Sequence, residues 1–100
     1  MKLTGKTKEK FLDYVLKNYG YDKTAISYCP EIYLNAIIIE FFDSVGLFFS
    51  INYEDKVFDT YINTLWVDTN QPKRQEATEK AIERANEIYN EILAKSNINH

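Results

Sequence analysis

Turn-forming and cross-linking residues are scarce in this chain of 100 residues, which has three glycines, two prolines and one cysteine. So little Gly and Pro excludes a low-complexity or loop-dominated chain and predicts regular elements joined by short links. A single Cys excludes an internal disulfide and suits a reducing compartment. Histidine is confined to His100, a terminal position expected to fray. Long hydrophobic runs are missing as well. The most apolar stretch, Ile32 to Phe42, is interrupted by Asn35 and Glu40 and falls short of the ~20 residues of a membrane span. No apolar segment follows the early lysines in the manner of a signal peptide. A basic excess is absent too: 12 Lys and Arg against 15 Asp and Glu leave −3, which argues against a nucleic-acid partner. These absences predict a cytoplasmic chain with no membrane attachment.

Aromatic residues, in contrast, are plentiful: eight Tyr, six Phe and one Trp within a 45% apolar composition. That excludes a disordered tail and predicts a single domain over residues 1–100, burying roughly two-thirds of its unfolded surface. Charge is unevenly spread. Residues 1–23 carry six lysines against three acids, or +3; residues 24–72 carry one lysine against seven acids, or −6; the remainder is neutral. The acidic middle is a possible contact surface for a basic partner.

Periodicity predicts an α+β fold of two N-terminal helices, an antiparallel β-hairpin and a long C-terminal helix. In the first helix, Thr7 to Asn18, Phe11, Tyr14, Val15 and Asn18 keep helical spacing, with Thr4 or Thr7 as cap and Gly20 as stop. Residues 21–29 read as an aromatic-rich loop. The second helix opens at Pro30, ends near Ser44 and is apolar nearly all round, so it should be packed on more than one side. Gly46–Tyr53 alternates as a strand, Glu54-Asp55-Lys56 forms a turn, and Val57–Val67 reads as one partner strand. From Pro72 to Lys95, the stripe Ala77, Ala81, Ile82, Ala85, Ile88, Tyr89, Ile92 and Leu93 marks the last helix. A lone hairpin is unstable in water; with its open edges and the apolar second helix, it predicts a homo-oligomer.

Recognition is the chemistry best supported by residue type. Tyr19, Tyr21, Tyr28 and Tyr33 crowd the first loop and its flanks, and Tyr supplies large area with a polar tip at low entropy cost. Glu54 and Asp55 in the acidic middle, and Glu79, Glu83 and Glu87 in an i+4 ridge continued by Glu91, would steer a basic partner. Catalysis is less well served. Cys29 lacks a nearby base and reads as a small buried thiol. Asp43, Glu54 and Lys56 loosely match the acid and Lys set of metal-dependent nucleases, but Glu54 and Lys56 fall in a turn. Lys73 and Arg74 open the last helix where double-stranded-RNA-binding domains place phosphate-contacting lysines. That fold, however, has three strands between its helices, whereas a hairpin is expected here.

Two blocks carry a resemblance. Phe41-Phe42-Asp43-Ser44-Val45-Gly46-Leu47, together with Arg74-x-Glu76-Ala77 and Ala81-Ile82-Glu83-x-Ala85-Asn86-Glu87-Ile88-Tyr89-Asn90, resembles small uncharacterised proteins of phages and prophages of intestinal anaerobes. The resemblance implies a phage accessory protein in a host cytoplasm and supplies no catalytic residues. The leading expectation is a non-enzymatic binding protein, without cofactor or metal, that engages or inhibits a host protein. The alternatives are an oligomer that sequesters a nucleotide-like small ligand, and a metal-dependent hydrolase.

Overall fold

The computed structural model describes residues 1–98 as α1 (Gly5–Tyr19), α2 (Lys23–Ser27), α3 (Glu31–Ser44), β1 (Phe49–Glu54), β2 (Val57–Ile62), β3 (Leu65–Gln71) and α4 (Arg74–Ile98). His100 lies outside the described residues. The chain is α+β, with helices at its N-terminus, an antiparallel sheet and a long C-terminal helix. Among the described residues no helix is long and apolar enough to cross a membrane.

Two segments differ from the sequence reading. The expected loop over residues 21–29 contains the short helix α2, capped by Asp22, whose carboxylate accepts the Ala25 N–H at 2.9 Å. Its one buried apolar side chain, Ile26, anchors it to the core. The stretch expected as one strand, Val57–Val67, is β2 and the start of β3, broken at Asn63. Asn63 has a left-handed φ of 56°, which Asn tolerates better than most residues. Three bonds hold it there. Its N–H donates to the Phe48 carbonyl at 2.7 Å, its Oδ1 accepts the Phe48 N–H at 2.9 Å, and its Nδ2 donates to the Gly46 carbonyl at 3.1 Å. The sheet is therefore a three-stranded meander in the order β1-β2-β3.

Register places Phe49 opposite Ile62, Ile51 opposite Thr60, and Thr60 in turn opposite Val67. Because side chains alternate along a strand, these residues share the face packed against the helices, whereas Ser50, Asn52 and Trp66 lie on the solvent side. Asp55 and Lys56 join β1 to β2 with φ of 52° and 67°, the pair of left-handed conformations that matches strand twist in a two-residue hairpin.

The core lies between sheet and helices. Ala77, Ala81, Ile82 and Ala85 of α4 are fully buried, and the small alanines let that helix approach its neighbours closely. Phe41 of α3 meets Phe11 edge-on at 5.6 Å and Tyr89 at 5.9 Å, while Phe42 stacks on Phe49 at 5.8 Å. Residues of the two familiar-looking blocks thus pack against each other.

The start of α1 is capped from the far end of the chain. Thr4 occupies the N-cap position, yet neither Thr4 nor Thr7 supplies the cap bond expected of it. Instead, Asn90 Oδ1 accepts the Thr7 N–H at 2.9 Å and the Thr7 hydroxyl at 2.8 Å, while Asn90 Nδ2 donates to the Thr4 carbonyl at 3.2 Å. Asn86 Oδ1 accepts the Thr4 N–H at 3.0 Å, and its Nδ2 donates to Thr4 Oγ1 at 2.9 Å. Gly5 lies beneath this clasp: its φ is +62°, and a Cβ there would stand 3.2 Å from Asn90 Oδ1. Removing the Asn90 amide strands the N–H of Thr7, a residue with no exposed surface, so Asn90→Ala should destabilise by about 1–3 kcal/mol in urea unfolding. Asn90→Asp, which keeps an acceptor, should lose less. Lys56→Gly should raise stability by up to about 1 kcal/mol in the same assay, because glycine adopts the left-handed turn without strain.

Candidate functional site

The four tyrosines divide into two groups. Tyr19 ends α1 and stacks on Tyr21 across the Gly20 turn, with ring centroids 5.5 Å apart and planes 16° from parallel. The Tyr19 hydroxyl donates to a carboxylate oxygen of Glu40 on α3. That bond, aided by lost hydration and the Glu40 charge, pushes the Tyr19 phenol up to about 12. Tyr14, beneath this pair, is raised by burial first and then by Glu40 and Asp43. Tyr28 and Tyr33 stand apart from that stack at the entrance to α3, 83% and 66% exposed, with Ile32 between them in sequence at 64%.

Helical spacing continues this exposed patch along α3. Ile32, Tyr33, Ala36 and Glu40 fall on one side of the helix, outward from Leu34, Ile38, Phe41 and Phe42. Glu40 is where the Tyr19–Tyr21 pair joins it. The surface is one face of α3, apolar at its N-terminal end and acidic at Glu40. Ile32 and Glu40 are the members that sequence reasoning missed. The signal for Ile32 was that helix's all-round apolarity, expected to pack on more than one side, of which the structure buries only the side carrying Leu34, Ile38, Phe41 and Phe42.

The acidic residues do not converge. Glu54 and Asp55 are exposed at the β1–β2 turn. On α4, Glu83 pairs with Lys2 at 3.3 Å and Glu87 with Arg84 at 2.9 Å, so two members of the ridge are partly neutralised. Glu79 is half-buried. Trp66 and Val67 of β3, with Lys80, Glu83, Arg84 and Glu87, line a shallow groove beside this ridge. Asp43 lies in the last turn of α3, and Glu54 at the opposite end of β1 from that helix. Among the described residues no group of three His, Cys, Asp or Glu side chains could hold a metal ion.

Cys29 is half-buried, not fully buried as expected, and borders a cleft. The helix N-terminus beside Pro30 makes no side-chain cap bond. Lys73 precedes α4, and the Arg74 guanidinium lies 5.2 Å over the Phe58 ring. The third strand removes the topological objection to the RNA-binding arrangement, since α3 and α4 do flank three antiparallel strands. The charge objection stands: Glu76, Glu79 and Glu83 follow within the first three turns of the same helix.

Compared with protein-family models, curated proteins and solved structures, the chain matches none.

The Tyr19–Glu40 bond has a signed pH dependence. A phenol held at about 12, above its ordinary 10.0, favours the neutral ring in the folded chain. Its stabilisation is therefore full below pH 10.0 and is lost as pH rises through about 12. Tyrosinate absorbance during alkaline titration should show Tyr19 titrating late, alongside Tyr14 and Tyr89, which burial raises, and Glu40→Gln should move the Tyr19 component back towards the ordinary value.

Proposed function

We propose that this chain is a non-enzymatic protein-binding module whose docking face is Tyr28 with the outer side of α3. The observation that carries this reading is the exposure of Tyr28, Ile32 and Tyr33, each more than 60% accessible within six residues of chain. Single exposed apolar residues are ordinary, but a cluster rimmed by polar groups marks an interaction surface. Glu40 and Asp43 lie along α3, which has no basic residue. The complementary partner is a protein surface with an apolar centre and a Lys or Arg rim. Because Phe41 and Phe42 pin the other end of α3 in the core, the docking side chains project from a rigid base, which lowers the ordering cost of association.

The phage resemblance of residues 41–47 and 74–90 supports a host protein, met in a host cytoplasm, as that partner. Self-association is a compatible part of the proposal: β1 is an edge strand and offers its outer backbone groups to a second copy without covering α3.

The test is recovery of a discrete partner from host lysate by the tagged chain, compared with a Tyr28→Ala, Ile32→Ala, Tyr33→Ala variant. All three positions are exposed, so the variant should fold normally by circular dichroism. Partner recovery should fall at least tenfold in the variant and weaken with rising salt. Equal recovery by both chains would overturn the assignment of this face, and a monomeric mass by light scattering at micromolar concentration would remove the oligomer.

A further inference from the structure

On the opposite side of α3 from Tyr33, a cleft of about 590 Å³ opens between the N-terminal segment, α1, α2 and the start of α3. Its size lies within the usual range of small-molecule sites. Leu12, Ile26 and Leu34 supply apolar lining. Lys2, Lys8 and Lys23 line it too, with Glu31 as the one acid. Lys2 is already engaged with Glu83, but Lys8 and Lys23 form no ion pair among the described residues.

Asn35 is the decisive residue. It lines the cleft, is only 5% exposed, and its amide nitrogen has no hydrogen-bond partner. A buried donor left unpaired is destabilising, and an apolar side chain would remove that penalty. Buried polar groups are nearly always satisfied, so an unsatisfied one needs a reason. A ligand that brings an acceptor to the amide is such a reason. The amide can turn about its Cβ–Cγ bond to present either its nitrogen or its oxygen.

We propose that this cleft binds a small organic phosphate of the nucleoside monophosphate class. The phosphate sits between the free ammonium groups of Lys8 and Lys23, and the base lies against Leu12, Ile26 and Leu34 with a ring acceptor on Asn35. The sugar hydroxyls donate to Glu31, the one lining group that a bare anion would find repulsive. Three lysines alone would suit any anion; the buried amide and the carboxylate select one carrying both an acceptor and hydroxyl donors. The proposal does not depend on the docking face, which lies on the other side of the helix.

Thermal unfolding and calorimetric titration of the full chain with AMP, UMP, adenosine and inorganic phosphate test it. AMP or UMP should raise the midpoint by several degrees through mass action, and adenosine and phosphate should each bind at least tenfold more weakly. Asn35→Leu should leave the free protein as stable or more stable while weakening nucleotide binding at least tenfold, an outcome that a merely structural asparagine would not give. Lys8→Ala with Lys23→Ala, both exposed, should remove the advantage of AMP over adenosine without altering the fold, and decides the matter should the leucine variant fail to fold. No response to AMP or UMP at millimolar concentration would overturn the proposal. So would equal binding of phosphate alone, or unchanged nucleotide binding by the lysine double variant.

Discussion

Asn86 and Asn90 tie the two ends of the chain together, and much of the architecture follows from that clasp. One turn apart on α4, they face the same way and meet the backbone of Thr4 and Thr7 through paired donors and acceptors. The first turn of α1 thereby gains the acceptors its own side chains do not provide. An amide suits this task because it donates and accepts at once, whereas a carboxylate at Asn90 would leave the Thr4 carbonyl without its donor. With α1 held at its start, Phe11 and Val15 close over the core, and Lys8 and Leu12 come to the cleft.

α3 is the second organising element. Its C-terminal half is held against α1, α4 and the sheet through Phe41 and Phe42, whereas Ile32 and Tyr33 of its first turn stay exposed. One helix therefore does two things. Phe41 and Phe42 fix its orientation, and its N-terminal half presents Ile32 and Tyr33 to solvent on one side and lines the cleft with the buried Asn35 on the other. Glu40 would be an awkward guest in an apolar helix, but its position at the surface gives the Tyr19 hydroxyl an acceptor.

The unevenness of what could be read from sequence has physical causes. α3 was legible from its uninterrupted run between Pro30 and Gly46, and helical periodicity in α1 and α4 was legible because each buries a stripe whose spacing is a property of the helix alone. The alternation of Phe49, Ser50, Ile51 and Asn52 was legible for the same reason. The break at Asn63 was not, because Asn-Thr is a weak turn signal without glycine and the bonds that hold Asn63 come from Gly46 and Phe48, across the sheet. The short helix α2 is two turns at most and rests on one cap and one buried isoleucine. The tyrosines were visible as a cluster, but not as a stacked pair and an exposed pair.

Composition and periodicity by themselves determined the class of fold, the long final helix, the lack of a disulfide and the acidic middle segment. These depend on local spacing and on sums over the chain, which tertiary contacts do not alter. Only the tertiary structure decided which side of α3 stays exposed, that the cap of α1 comes from a residue 83 positions later, and that Asn35 borders a cleft with its amide nitrogen unpaired. Those properties belong to pairs of residues distant in sequence, and they exist only once packing has chosen which surfaces meet.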